Sequence, residues 1–395
     1  MLTKEQNDLI CQTGPGTPGG EWFRRYWHPI AMSSEVTPGS KPKQMRILSE
    51  DLVLFRDVKG RPGLVGLHCS HRLTSLAYGR IEDGGIRCPF HGWLYDVEGH
   101  CLEQPAEPEG STFKDRIRHP SYPCEELGGL IFAYMGPPEQ KPLLPRYEVL
   151  VREDGVRWHS WYIVDSNYLQ NVEGAMDTVH FSYLHQNNWT KVKGTLRALP
   201  TPVLDWKETD YGIWQKSVLP DAQNNHSFTM YSYFFFPGGF LRVQEENAGV
   251  GGVKKYLSWY VPMDDDKCIR WQTAFAPTEE FKEPYRWPPD GANIHPRGDQ
   301  DFGRRYEEVD TISGILPIGP TFRSQDTMVN ESQGPIAQRQ NERLGEHDKV
   351  LMAQRMMMIK AVKDVQAGKD PKHIIRDPEE NDIVYIRGME EMELV

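Results

Sequence analysis

Residues 69–91 constrain this chain more than any other stretch. They carry Cys69-Ser70-His71 and Cys88-Pro89-Phe90-His91, two short pairs with sixteen residues (72–87) between them. Each pair offers one soft thiolate and one imidazole, a donor set suited to zinc or to an iron–sulfur centre. Two unrelated thiols beside a few surface histidines are the plain alternative. His68 adjoins Cys69, but the match with Cys88 and His91 selects His71 as the donor.

The mixing of residue types within each pair separates the metals. Structural zinc sites usually group Cys with Cys and His with His. Here each loop can give its Cys to one iron and its His to the other, as in a Rieske [2Fe–2S] centre. The run Cys-x-His, sixteen residues, Cys-x-x-His-Gly92-Trp93 resembles the Rieske domain of the ring-hydroxylating oxygenases. Rieske proteins of respiratory complexes carry a further Cys in each cluster loop. This segment has none beyond Cys69 and Cys88, which favours the oxygenase branch. Leu73 departs from the pattern, standing where many members have Gly after His-Arg.

A length of 395 residues fits two domains. A net charge of −11 without a basic stripe argues against nucleic acid or an anionic membrane as partner. The remaining cysteines, Cys11, Cys101, Cys124 and Cys268, lack the spacing of a disulfide framework. No apolar run reaches a membrane span, and Arg24-Arg25 precede Tyr-Trp-His-Pro rather than an apolar signal core. A cytoplasmic protein is expected.

From Met45 to about Gly136, short β-branched runs alternate with Gly, Pro and Asp, predicting a small antiparallel β domain. The Pro-rich stretch 136–145 marks a boundary, giving domains 1–145 and 146–395. Beyond it come a helix from Ser166 to about His185 and alternating strands such as Tyr231–Phe236 and Tyr256–Val261. Residues 287–303 read as an irregular excursion. A last helix from about His347 ends at Gly368, with Val350, Met357, Ala361 and Val365 on one face. The class is α+β.

The first of these helices holds Asn171, Glu173, Asp177, His180 and His185. Spacings of four and three put Glu173, Asp177 and His180 on one helical face. His185 lies about 140° further round at 3.6 residues per turn. Both imidazoles therefore meet one ion only if the helix bulges or ends between them. This run resembles the mononuclear iron motif of the same oxygenases. By that resemblance His180 and His185 are two ligands of a 2-His-1-carboxylate site. The segment Gln325-Asp326 … Glu331-Ser332-Gln333-Gly334-Pro335-Ile336 resembles phthalate dioxygenase-like members and offers Asp326 as the third, with Glu331 its rival.

The resemblance spans roughly Gly14 to Pro378. It implies a terminal oxygenase with an N-terminal Rieske domain, a helix-grip (START-like) catalytic domain, a [2Fe–2S] cluster and a mononuclear Fe(II). Asp177 matches the family's bridging acid, joining a cluster histidine, His71 or His91, of one chain to His180 of another. A homotrimer, or a stacked hexamer, is implied. Electrons would come from a separate flavin and iron–sulfur reductase, since no Gly-rich nucleotide loop follows a strand here.

The substrate would be an aromatic, carboxylated small molecule, hydroxylated or O-demethylated with O2 in aromatic catabolism. N-demethylation, or oxygenation of a non-aromatic molecule, is the alternative within the class. A Rieske electron-transfer or ligand-binding protein is the alternative outside it. Tyr231, Tyr233, Phe235 and Trp259 serve either as pocket wall or as core. Arg242, Arg270 and Arg323 serve either as carboxylate anchors or as packing residues.

Overall fold

The computed structural model describes residues 2–184, 202–221, 226–244, 254–276 and 322–384. The chain divides into two compact units: Thr13–Arg146 with Ile374–Asp382, and Met1–Gln12 with Tyr147–His373 and Ile383–Val395. The first twelve residues, grouped by sequence with 1–145, thus belong with the second unit. Helix α1 (Lys4–Cys11) is too short to persist alone. It is held there because Tyr168 Oη donates to Ile10 O at 2.6 Å and Asn167 Nδ2 to Cys11 O at 2.9 Å.

The unit of Thr13–Arg146 is built on antiparallel strands, with one short helix at Pro18–Phe23. Its strands are β1 (Trp27–Met32), β2 (Lys43–Ile47), β3 (Glu50–Arg56), β4 (Pro62–Gly66), β5 (Arg80–Glu82), β6 (Gly85–Arg87), β7 (Leu94–Tyr95), β8 (Cys101–Glu103), β9 (Ser121–Tyr122), β10 (Cys124–Leu127) and β11 (Leu130–Tyr134). They form sheets in the orders β1-β11-β10, β2-β3-β4-β9 and β5-β6-β7-β8. The turns β3–β4 and β7–β8 use one device. Asp57 Oδ1 accepts the N–H groups of Lys59 and Arg61, with Gly60 at φ +85°. Asp96 Oδ1 likewise accepts those of Glu98 and His100, with Gly99 at φ +81°. Val53, Phe55, Val65, Leu76, Ile86 and Trp93 form the core that encloses Cys69 and Cys88.

The other unit is built on one antiparallel sheet of seven strands. These are β12 (Val156–Val164), β13 (Val203–Glu208), β14 (Gly212–Asp221), β15 (His226–Phe235), β16 (Gly239–Gln244), β17 (Lys254–Pro262) and β18 (Cys268–Ala276), ordered β12-β18-β17-β16-β15-β14-β13. Together with the helices this is the expected α+β architecture. Directly paired residues of antiparallel strands share a face. Gln215, Ser232 and Arg242 pair in one row, and Tyr162, Arg270 and Tyr260 in another. Tyr231, Tyr233, Phe235 and Trp259 alternate to the opposite face, where Phe235 and Trp259 pack on Tyr147. Of the two readings left open for them, core is the right one.

Helix α2 (Tyr168–Met176) lies on the Arg242 side, since Arg242 Nη2 donates to Ala175 O at 2.8 Å. Helix α3 (Phe322–Ser332) is lashed to it by amides. Gln170 Nε2 donates to Asn330 O and Gly334 O, and Asn330 Nδ2 to Asn171 Oδ1. Gly174 permits the close approach, because a Cβ there would lie 3.1 Å from Asn330 Oδ1. Helix α4 (Lys349–Gln366) buries Val350, Met357, Ala361 and Val365, and Gly368 follows at φ +73°. That face and stop are the ones the sequence predicts. The described residues include no helix long and apolar enough to cross a membrane, and all six cysteines are free.

Glu173 joins these helices. It is 7% exposed, receives Arg339 Nη2 at 2.9 Å and Arg355 Nε at 2.6 Å, and Arg355 also pairs with Glu342. Burial pushes the Glu173 carboxyl up, but the two guanidiniums outweigh it and hold it below its ordinary 4.5. A carboxyl depressed in the folded state stabilises fully above its unfolded value and less as pH falls through the folded one. Stability should therefore fall with acid below about pH 4.5. Glu173→Ala should remove that acid limb and cost about 3–5 kcal/mol by stranding the buried Arg339 and leaving Arg355 to Glu342 alone, as read by urea unfolding across pH.

Candidate functional site

The two Cys–His loops have matching backbones. Cys69 N–H bonds Thr74 O and Leu73 N–H bonds Cys69 O; Cys88 N–H bonds Trp93 O and Gly92 N–H bonds Cys88 O. Each loop turns at the fourth residue after its Cys with positive φ, +60° at Leu73 and +77° at Gly92. Leu73 thus occupies a left-handed position that glycine takes without strain. The folding brings the four donors together. Cys69 and Cys88 are 1% and 2% exposed, and the His71 and His91 rings stand 4.5 Å apart outside them. His71 stacks on Trp93 at 4.6 Å.

Burial pushes the Cys88 thiol up, and neighbouring Cys69 adds to the shift. Burial, then His71 and Arg72, draw His91 down, which favours the neutral ligating imidazole. Two adjacent thiols inside and two imidazoles outside fit a [2Fe–2S] cluster with a two-Cys iron and a two-His iron. His68 serves elsewhere, bonding Leu73 O through Nδ1 at 3.1 Å. Sequence reasoning missed the supporting shell. Tyr95 Oη lies 3.2 Å from Cys69 Sγ, and His119 links Ser70 Oγ to Gly66 O, each at 2.8 Å. The alternation of Trp93 and Tyr95 about Leu94 is the available signal for the first; nothing local flags His119.

The second group lies at the end of α2. The helix stops at Met176, earlier than the sequence suggests, because Asp177 Oδ1 accepts the Val179 N–H at 2.8 Å and turns the chain. A short 3₁₀ turn, Val179–Ser182, then carries His180. The expected shared helical face of Glu173, Asp177 and His180 is therefore corrected. Glu173 faces its arginines, while Asp177 and His180 line a cavity of about 130 Å³.

In that cavity His180 Nδ1 lies 3.6 Å from Asp177 Oδ2, and Nε2 lies 3.6 Å from Asp326 Oδ1. Two donors that far apart can share one ion held roughly 2 Å from each. Glu331 instead accepts the Asp165 N–H at 3.0 Å. His185 lies outside the described residues. Burial pushes the Asp177 carboxyl up, but His180 and the Val179 and His180 N–H groups overcome it and hold it low. Arg242 and Arg270 line the same cavity; the Arg323 side chain lies outside the described residues.

Comparison with known proteins gives the class. A Rieske [2Fe-2S] domain family matches residues 26–123, and a "LigXa C-terminal domain like" family matches 306–380. The chain is 34% identical over 390 residues to the 5,5'-dehydrodivanillate O-demethylase oxygenase subunit of Sphingobium sp. (strain NBRC 103272 / SYK-6), covering 96% of this chain and 84% of that one. It is 30% identical to the phthalate 4,5-dioxygenase oxygenase subunit of Pseudomonas putida, covering 93% and 88%. Its fold matches that of dicamba monooxygenase bound to dicamba with a TM-score of 0.64 at 18% identity, covering 88% and 99%.

The chain belongs to the Rieske-type oxygenases. It is a terminal oxygenase subunit, an oxidoreductase whose cofactors are a [2Fe–2S] cluster and a mononuclear iron.

The twin loops differ in one testable respect. Gly92→Ala would force a Cβ into the left-handed region 3.1 Å from Pro105 Cγ. It should cost about 1–2 kcal/mol in denaturant unfolding, whereas Leu73→Gly should cause no loss.

Proposed function

We propose that Cys69 and Cys88 hold one iron of the cluster, His71 and His91 the other, and that His180, His185 and Asp326 hold the mononuclear iron. The observation that carries this reading is the position of His180, with Nε2 toward Asp326 and Nδ1 toward Asp177. A ligating imidazole commonly turns its second nitrogen to a carboxylate, which fixes its tautomer. Asp177 can serve so, and in an assembly of three chains, or a stacked hexamer, it also reaches His71 or His91 of the next chain. The cluster unit would then be the Rieske domain, within 1–145, and the seven-stranded sheet with its helices the catalytic domain, within 146–395.

When bound, the mononuclear iron supplies open positions for dioxygen and substrate, and the cluster supplies electrons. The chain's own residues do the rest. The polar sheet face and α2 bind and orient the substrate, and Phe181 and Phe240 exclude water. The substrate is an aromatic acid, hydroxylated or O-demethylated. This reading is supported by the O-demethylase and phthalate dioxygenase subunits that the chain resembles along most of its length. A separate flavin and iron–sulfur reductase in the same cytoplasm is the electron source.

A substrate screen with a surrogate reductase tests the function. Oxygen uptake with formaldehyde release indicates demethylation, and uptake with a phenol or cis-diol indicates hydroxylation. No uptake with any aromatic acid, despite both metals bound, contradicts the proposal.

Asp326→Ala should lose about a third of the iron with the visible cluster bands intact, whereas Glu331→Ala should keep it. Asp177→Asn should retain both metals yet lose about 10–100-fold in coupled turnover; unchanged turnover would exclude the bridging role.

A further inference from the structure

The face of the seven-stranded sheet that α2 covers is unusually polar for a buried surface. Gln215, Ser217, Ser232 and Ser258 are each at most 1% exposed on it, and Arg242 and Arg270 stand among them. Both guanidiniums line the cavity that holds His180 and Asp326, and neither has a carboxylate within ion-pairing distance among the described residues.

The two arginines are engaged differently. Arg242 is largely occupied. Its Nη2 donates to Ala175 O at 2.8 Å, and its guanidinium lies 4.8 Å and 5.0 Å from the ring centres of Phe181 and Phe240. Arg270 is held at one corner, where Nη1 donates to Tyr162 Oη at 2.7 Å, and is flanked by the Tyr162 and Tyr260 rings at 5.7 Å and 5.4 Å. Its Nε is buried with no hydrogen-bond partner among the described residues. Nε and Nη2 form the edge of a guanidinium that receives a carboxylate through two parallel hydrogen bonds. Tyr162 therefore holds the group by one nitrogen, Nη1, and the buried Nε of this cavity-lining residue is left unsatisfied among the described residues.

Charge points the same way. A dication at His180 and Asp326 would offset the two carboxylates Asp326 and Asp177, leaving the two guanidiniums as excess positive charge. A carboxylate in the cavity reduces that excess.

We propose that the Nε/Nη2 edge of Arg270 anchors a carboxylate of the substrate, with Arg242 adding to the positive potential that draws it in. This rests on reading the cavity as the oxygenation site. It makes Arg270 the residue by which the enzyme selects an acid over the matching neutral ring. Tyr162 is the positioning residue that keeps the guanidinium in plane.

The test is anaerobic titration calorimetry of the holoenzyme with para-methoxybenzoate and para-methoxybenzamide, which share a shape but not a charge. The acid should bind at least about 30-fold more tightly than the amide. Arg270→Gln should abolish that preference by weakening the acid about 30-fold while leaving amide binding in place. Arg270→Lys should restore part of it, since a point charge lacks the planar fork. Tyr162→Phe should weaken the acid less than Arg270→Gln does.

Equal binding of acid and amide by the wild type overturns the proposal. So does an acid preference that survives Arg270→Gln, or a loss of both ligands together in that variant. Failure here is separable from failure of the function above. Oxygen uptake on neutral aromatics without any acid preference removes the anchor and keeps the oxygenase. Arg270-dependent acid binding without uptake on any aromatic acid does the reverse.

Discussion

Two arginines close on the buried Glu173 carboxylate, and the geometry of the second unit follows from that grip. Arg339 reaches Glu173 from the segment after α3 and also meets Asn7 Oδ1 at 3.0 Å on α1. Arg355 reaches it from α4 and passes the charge on to Glu342. Elements far apart in sequence are thus tied to one turn of α2. A buried ion cluster of this kind contributes little net stability against an apolar replacement, but breaking it is costly. With the Glu173 side of α2 fixed, the turn that follows its last residue presents Asp177 and His180 to the cavity.

The second constraint is the amide lacing between α2 and α3. Gln170, Asn171 and Asn330 satisfy one another and the backbone at 330–337. Asp326 lies one helical turn before Asn330, so the same lacing carries it to His180. Site geometry here is a consequence of helix packing.

Much of this was legible in the residues, for identifiable reasons. The four proposed cluster donors come as two contiguous loops, so local spacing alone singles them out. The buried face of α4 followed from its 3.6-residue period. The end of α2 did not, because a side chain that caps its own turn at Asp177 overrides helical periodicity. Asp326 could be offered only through resemblance, since nothing in its own neighbourhood marks it. Sheet register was likewise hidden. It puts Tyr231, Tyr233, Phe235 and Trp259 in the core and Arg270 in the cavity, and a one-residue slip would exchange the faces. Membership of α1 in the second unit depends on Asn167 and Tyr168, far from it in sequence.

Diffraction from crystals of the protein at the iron absorption edge probes the central claim most directly. The account predicts iron signal at two separate places. One is a pair of irons among Cys69, His71, Cys88 and His91, and the other a single ion between His180 and Asp326 with His185 completing its ligands. Iron held by Glu331 in place of Asp326, or zinc at the four Cys and His donors, would contradict it.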